Sequence, residues 1–459
     1  MTKTYDAIII GTGQSGPSLA ARLLGSGMTV AVIERKKFGG TCVNTGCIPT
    51  KTLVASARTA HIVRRSVDYG VRIDGSVHVD MKKLKARKDA TVRQSNEGVK
   101  KWLKNMEHCT VYEGHARFEG PHTVSVGDDL LEAKRIFINV GARATRPPID
   151  GLDTVDYFTN ADMMEVDFLP KHLIVLGGSY IGLEFGQMYR RFGSKVTIVQ
   201  RGNRLLSRDD EDVSKTIREV IQGEGIDVLT STADYQIGKR QGEIAFHMTS
   251  AGEPKEIVGS HLLVAVGRVP NTDDLALDKA VIETDPRGFI KVDDQLHTSI
   301  EGVWALGDCN GQGAFTHRSY NDYEMVAANL LDDDPRRVSD RITAYAVYTD
   351  PPLGRVGMTE AEVRESGRKA LITTRPMSRV GRAVEKGETQ GFMKILVDVE
   401  TKNILGASFL GVEADEAIHS ILDIMYAGAP YAVIQRAVHI HPTVSELIPT
   451  MLGELKPLQ

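Results

Sequence analysis

The sequence predicts an α/β fold built on two doubly wound parallel sheets. Three observations predict it. Residues 5–35, YDAIIIGTGQSGPSLAARLLGSGMTVAVIER, align without a gap on residues 171–201, KHLIVLGGSYIGLEFGQMYRRFGSKVTIVQR. Each copy reads as strand, glycine-rich turn, helix, glycine stop and second strand, which is the unit of a parallel sheet. The chain of 459 residues is 41% hydrophobic and 25% charged, an ordinary globular composition at a length suited to about three domains.

The first copy opens with the apolar run Ala7–Ile10, followed by Gly11, Gly13 and Gly16 in a GxGxxG turn. The first glycine permits a tight turn, the second lets the backbone approach a pyrophosphate, and the third lets the helix pack against its strand. Phosphate then rests on the helix N-terminus, where unpaired N–H groups and the dipole favour negative charge. After the stop at Gly27 comes the strand Thr29–Ile33, and Glu34 follows it, placed to accept a ribose hydroxyl. The structural alternative is a packing turn beside an unrelated surface acid.

The second copy runs from Leu173–Leu176 through Gly177, Ser179 and Gly182 to Gly193 and the strand Val196–Val199. Ser179 replaces the middle glycine, and Gln200-Arg201 stands where the first copy has Glu34-Arg35. A carboxylate repels a ribose 2′-phosphate and an arginine pairs with it. Arg201 and Arg204 therefore point to NADPH rather than NADH, unless both are solvated surface charges. Two nucleotide sites in one chain suggest a hydride donor used together with a flavin.

Between the first unit and a long helical stretch lies GGTCVNTGCIPTK, residues 39–51, with Cys42 and Cys47 close together. Pro49 favours the first turn of a helix. A thiolate at a helix N-terminus is stabilised, and Lys51 adds positive charge one turn on, so Cys47 is expected to have a lowered pKa. Two close thiols with one activated suit thiol–disulfide exchange. A zinc site would need further ligands at suitable spacing, and none stands nearby. A pair of inert buried thiols is the other alternative.

This segment resembles the active-site motif of the pyridine-nucleotide disulfide oxidoreductases, a family that includes glutathione reductase, dihydrolipoamide dehydrogenase and mercuric reductase. The resemblance covers nearly the whole chain. It implies that Val303–Asp308 is a second flavin motif, with Thr41 and Asp308 beside FAD. It implies domain-crossing strands at 138–141 and 264–271, with Gly141 and Gly267 at the cofactors. It places Tyr180 as an aromatic gate over the flavin and Glu184 as the carboxylate partner of Lys51; a core aromatic and a first-turn helix acid are the plain alternatives.

Near the C-terminus, residues 439–446 read HIHPTVSE. Thr443 and Glu446 have the spacing of a helix capping box. The resemblance instead makes His441 a general acid/base, suited by its ordinary pKa, and Glu446 the residue that orients it. It further implies a homodimer in which His441 completes the partner's site.

The domain expectation is then a flavin domain at 1–147, an NAD(P) domain at 148–270, a returning segment at 271–340 and an α+β interface domain at 341–459. Pro147-Pro148, Pro270-Asn271 and the acidic run at 332–335 mark plausible boundaries. The implied activity passes hydride from NADPH through FAD to a Cys42–Cys47 disulfide and on to a small oxidised substrate.

The substrate is less legible. Glutathione reductases carry an arginine in the first helix where this chain has Ala21 beside Arg22. Mercuric reductases carry a cysteine pair near the C-terminus, and Met451–Gln459 holds none. The stretch Phe315–Tyr323 nevertheless looks more like the mercuric-reductase branch, with Tyr320 and Tyr323 either at the substrate mouth or in the core. The rivals are an NAD-linked dihydrolipoamide dehydrogenase and a nucleotide-sensing flavoprotein whose disulfide regulates a partner. The other two cysteines, Cys109 and Cys309, read as inert packing residues. A formal net charge of −4 gives no support to nucleic-acid or anionic-membrane partners. No apolar run approaches the ~18 residues of a membrane span, and the start lacks a signal-peptide pattern, so a cytoplasmic protein is expected.

Overall fold

The computed structural model describes residues 1–458. Its first sheet contains β1 (Thr2–Ile10), β2 (Val30–Glu34), β3 (Cys109–Glu113), β4 (Ala116–Gly120), β5 (Thr123–Val126) and β6 (Asp129–Ile138) in the order β3-β2-β1-β6-β5-β4. Strands β3, β2, β1 and β6 are mutually parallel, and β4 and β5 form an antiparallel extension. Ala7–Ile10 of β1, Val30–Ile33 of β2 and Ile136–Ile138 of β6 are apolar and buried, because helices cover both faces. Helix α1 (Gly16–Gly25) connects β1 to β2. The short α2 (Gly40–Asn44), the long α3 (Cys47–Arg64) and α4 (Met81–Lys104) lead on to β3.

After β6 the chain passes through β7 (Ala142–Ala144) into a second parallel sheet. That sheet contains β8 (His172–Leu176), β9 (Lys195–Val199), β10 (Asp227–Leu229) and β14 (His261–Val264), ordered β10-β9-β8-β14. Helix α5 (Tyr180–Phe192) joins β8 to β9, and α6 (Glu211–Gly223) joins β9 to β10. An antiparallel layer of β11 (Thr232–Arg240), β12 (Glu243–Ser250) and β13 (Glu253–Gly259) precedes β14. The chain returns along β15 (Arg268–Pro270), which pairs antiparallel with β7. It then adds β16 (Val303–Ala305) to the first sheet beside β6 and continues into α7 (Thr316–Leu331).

The remaining chain forms a six-stranded antiparallel sheet. Its strands are β17 (Ala344–Val347), β18 (Leu353–Gly357), β19 (Ala370–Pro376), β20 (Phe392–Asp398), β21 (Ile404–Leu410) and β22 (Lys456–Pro457), ordered β17-β18-β21-β20-β19-β22. The expected class, two nucleotide-type α/β units and an α+β unit, is the class observed.

One apolar core spans all three units. It holds Leu53 and Ala57 of α3, Leu183 and Phe185 of α5, and Val347, Leu353 and Phe392 of the C-terminal sheet. The cysteine-bearing helix is thereby gripped between α5 and the last sheet, which fixes where its N-terminus points.

Candidate active site

The carboxyl ends of parallel strands are where α/β sheets gather ligands. Here the ends of β1, β6 and β16 bring together Gly11, Asn139, Gly141 and Asp308. Gly11 has φ 102°, and a Cβ there would lie 2.3 Å from the Asn139 carbonyl oxygen. A Cβ on Gly16 would lie 2.4 Å from the Gly11 carbonyl oxygen, so the third glycine is set by helix–strand contact. At Gly13 a Cβ would meet the Asn139 side-chain nitrogen at 3.2 Å. Ser15 gives its hydroxyl to Ser319, so no side chain caps α1, and its first turn carries no acid. The open N–H groups and the close turn fit the pyrophosphate of FAD.

Glu34 is busier than its sequence position implies. Its Oε2 accepts the Thr12 N–H at 3.0 Å and the Thr12 hydroxyl at 2.6 Å, and its Oε1 accepts the Lys36 N–H at 2.9 Å. A carboxylate offers about four acceptor positions, so room remains for one ribose hydroxyl. The second repeat copies the loop contact with a neutral side chain, because Gln200 Oε1 accepts the Gly178 N–H at 2.9 Å. Gly178 is the repeat counterpart of Thr12.

The second turn is equally tight. A Cβ on Gly177 would lie 2.3 Å from the Ala265 carbonyl oxygen, and one on Gly182 would lie 1.9 Å from the Gly177 carbonyl oxygen. Ser179 is exposed at the N-cap of α5 and makes no capping bond, and the first turn of α5 holds no acid. Arg201 is exposed beyond β9, while Arg204 is half-buried and donates to the Ser207 carbonyl. Gly267 has φ 136° at the entry to β15, and the next residue, Arg268, pairs with Asp308.

Cys47 is the first residue of α3, and Pro49 lies in that helix's first turn. No side chain caps the helix and no acid occupies its first turn. Cys42 and Cys47 are both free thiols. Cys42, in the preceding helix, is the neighbour that most lowers the pKa of the Cys47 sulfur. Thr316, at the start of α7, places its Oγ1 3.1 Å from the same sulfur, and Lys51 adds charge. Led by Cys42, these hold the Cys47 thiol down at about 6 against burial and the nearby Glu184. In turn Cys47, together with burial, pushes Cys42 up. One sulfur is thus a ready thiolate and the other its proton donor.

Lys51 Nζ donates to Glu184 Oε2 at 2.8 Å. Glu184 is nearly buried, with a side chain 4% exposed. It is therefore held across to α3 rather than serving its own helix end. Tyr180, at the start of α5, packs its ring against Phe315 with centroids 5.6 Å apart. Thr41, in α2, is exposed beside the cysteine turn.

His441 stands apart from these residues in its own chain. Its Nδ1 is 2.8 Å from Glu446 Oε2, and its side chain is 80% exposed. Thr443 Oγ1 does accept the Glu446 N–H at 3.2 Å, but the carboxylate goes to His441 and not to a helix end. The hydroxyl half of the capping box is present and the carboxylate half is not. Cys109 is pushed up to about 11 and Cys309 to about 12, both by burial. Tyr320 and Tyr323 form an edge-on pair, with Tyr320 exposed and Tyr323 packed against the first domain's core.

Three residues at this site lie in segments that resemble the family but take no role from the sequence alone: Thr316, Phe315 and Arg268. Their partners lie far away along the chain, and contact reveals what each one does.

Comparison with known proteins agrees with this geometry. Residues 5–325 match the family described as pyridine nucleotide-disulphide oxidoreductase, and residues 343–452 match that family's dimerisation domain. The chain belongs to the pyridine nucleotide-disulphide oxidoreductases. It is 35% identical to the probable pyridine nucleotide-disulfide oxidoreductase RclA of Escherichia coli, over 98% of this chain and 99% of that protein. It is 34% identical to the dihydrolipoyl dehydrogenase of Thermus scotoductus, over 97% of this chain and 96% of that one. It is 33% identical to the mercuric reductase of Bacillus cereus, over 91% of this chain and 66% of that one. The solved Cu(II) complex of the HOCl-induced flavoprotein disulfide reductase RclA from E. coli superposes with a TM-score of 0.90, covering 99% of this chain and 100% of that one at 34% identity. The family makes this chain an oxidoreductase that uses a flavin and a pyridine nucleotide to work a redox disulfide. Among the described residues, no helix is long and apolar enough to cross a membrane.

Proposed function

We propose that this oxidoreductase is an NADPH-dependent reductase of a small oxidant or thiol-bound metal, in the manner of the mercuric-reductase branch. The reading rests above all on one arrangement: Cys47 at the uncapped start of α3, its pKa lowered chiefly by the free thiol Cys42 and backed by the Lys51–Glu184 pair. FAD, when bound, supplies two-electron transfer between the nicotinamide and the disulfide.

The chain's own residues have distinct tasks. Gly11, Gly13, Gly16, Glu34, Thr41, Gly141 and Asp308 hold FAD. Gly177, Ser179, Gly182 and Gly267 hold the nicotinamide nucleotide, and Arg201 and Arg204 take its 2′-phosphate. Tyr180, at the start of α5 against Phe315, would shield the cofactor site and admit NADPH. Cys47 would be held as the thiolate of the reduced pair. Cys42 would give up its proton and attack the oxidised substrate, and Cys47 would then displace the reduced product and re-form the Cys42–Cys47 disulfide. His441 of the partner subunit, oriented by its own Glu446, carries the proton. The corresponding domains are 1–147 with 271–340 for FAD, 148–270 for NADPH, and 341–459 for the dimer.

Similarity along the whole chain to a reductase described as HOCl-induced and solved with Cu(II) supports a small oxidant or soft metal ion as substrate. Dihydrolipoamide oxidation with NAD is the second reading, favoured by dehydrogenases of nearly equal identity. Anaerobic titration of the holoenzyme with NADPH and NADH in turn tests both. NADPH is expected to raise the long-wavelength thiolate–flavin band at much lower concentration. Rapid NAD-linked oxidation of dihydrolipoamide would overturn the assignment. Cys42→Ser is expected to keep flavin reduction by NADPH and lose substrate turnover; full turnover in that variant would remove Cys42 from its role.

A further inference from the structure

The Lys51–Glu184 pair has a third member. Tyr348 follows β17, and its backbone N–H donates to Glu184 Oε1 at 3.0 Å. Lys51 takes the other oxygen, Oε2. The Tyr348 ring also backs the ammonium, with Lys51 Nζ 4.5 Å from the ring centroid. An ammonium at that distance is attracted to the electron-rich ring face. The phenol stays neutral, because burial and then the carboxylates of Asp415 and Glu184 push it up.

A lysine is a point charge on a flexible stem. Lys51 is 32% exposed along its side chain, and Glu184 alone fixes only one of its directions. We propose that Tyr348 is a positioning residue: its ring backs Lys51 and its backbone N–H fixes the Glu184 carboxylate that Lys51 binds, so that Lys51 stays at the start of α3, where its charge bears on Cys47. This rests on the reading of Lys51 as the charge partner of the redox site. Thr316 from α7 contacts the Cys47 sulfur, and the titratable groups whose charge couples to it are Cys42 from α2, Lys51 along α3, Tyr180 and Glu184 from α5 and Tyr348 from the C-terminal unit. Lys51 is the cation among them, so displacing it weakens the thiolate.

The test compares holoenzymes of wild type, Tyr348→Phe, Tyr348→Trp, Tyr348→Leu and Lys51→Met. The readouts are the pH midpoint of Cys47 alkylation by iodoacetamide, assigned by peptide mass, and the pH midpoint of the thiolate–flavin band. Phe keeps a ring face and is expected to match wild type; Trp, with a stronger face, is expected at or below it. Leu is expected to rise by roughly half a pH unit or more, towards Lys51→Met. A Leu midpoint equal to wild type, with Lys51→Met shifted, overturns the inference about Tyr348 alone. A Phe or Trp midpoint as high as Lys51→Met also overturns it. An unshifted Lys51→Met overturns the reading of Lys51 and this inference with it.

Discussion

At the residue scale the chemistry turns on the division of one proton between two sulfurs. Cys47 is lowered by Cys42 first, then by Thr316 and Lys51. A lowered pKa means that the thiolate is present above about pH 6 and lost below it. Thr316→Val removes one donor while keeping the shape of the side chain. A hydrogen bond to a charged group is worth about 1.5–3 kcal/mol, and 1.36 kcal/mol is one pH unit. The thiolate–flavin band of Thr316→Val is therefore expected to titrate about 1–2 units higher. A midpoint unchanged from wild type would remove Thr316 from the site. The cysteine pair, Lys51 and the glycine turns were legible in the sequence, because each is a local pattern with a physical requirement. Thr316 had no role there, because its partner Cys47 lies 269 residues away along the chain and a single threonine carries no periodicity. The engagement of Glu34 by Thr12 was equally hidden, although the repeat counterpart Gln200 shows the same contact.

At the residue scale too, the proposed choice of NADPH rests on Arg201. It stands exposed next to Gln200, the neutral residue that takes the place of Glu34, while Arg201 itself is the counterpart of Arg35. Arg201→Glu substitutes a charge that repels a 2′-phosphate. KM for NADPH is expected to rise by at least about tenfold while that for NADH holds or falls. Steady-state kinetics with both nucleotides checks it, and an unchanged ratio of the two kcat/KM values would refute the assignment.

At the element scale, α3 and α5 work as a pair. Their N-terminal ends meet through Lys51 and Glu184, and their far ends meet through a buried charge network. Arg191 of α5 is 5% exposed and binds Glu224 with two bonds, at 2.7 and 2.8 Å, and also Asp350. Arg58 of α3 binds the same Asp350 at 2.6 Å and Glu388 at 2.8 Å. Gln187 donates to both Glu224 and the Asp350 carbonyl. Removing one partner from such a network strands the others without compensation, at about 3–5 kcal/mol. Arg191→Leu is expected to lose that much in denaturant unfolding of the holoenzyme. Burial by itself would lift the Asp350 carboxyl, but Arg191 and Arg58 hold it below the usual 3.8. Its contribution is thus full above about pH 3.8 and lost as the pH falls through the lower folded value. The variant is expected to unfold at a higher pH than wild type on acidification, and coincident acid transitions would argue against the network. The two helices themselves were readable from the repeat and from Pro49. The network was not, since Arg191, Glu224, Asp350 and Arg58 lie in separate segments and look like ordinary surface charges in sequence.

At the scale of the whole molecule, the site is split between units that the fold forces together and one that it leaves outside. The core shared by α3, α5 and the C-terminal sheet brings Cys47, Lys51, Glu184 and Tyr348 into one cluster. His441, by contrast, is 80% exposed, with its second ring nitrogen free of the Glu446 bond. Residues 343–452 match a dimerisation domain, so a second copy can bring that imidazole to Cys42. Symmetry makes the arrangement testable by mixing two dead proteins. Cys42→Ser and His441→Ala homodimers are each expected to lose turnover. If the two are unfolded and refolded together in equal amounts, half of the dimers are mixed. Each mixed dimer holds one doubly damaged site and one site with both Cys42 and the opposite His441 intact. Turnover is then expected to return to roughly a quarter of wild type. If His441 served the Cys42 of its own chain, every site in the mixture would lack one group, and no activity would return.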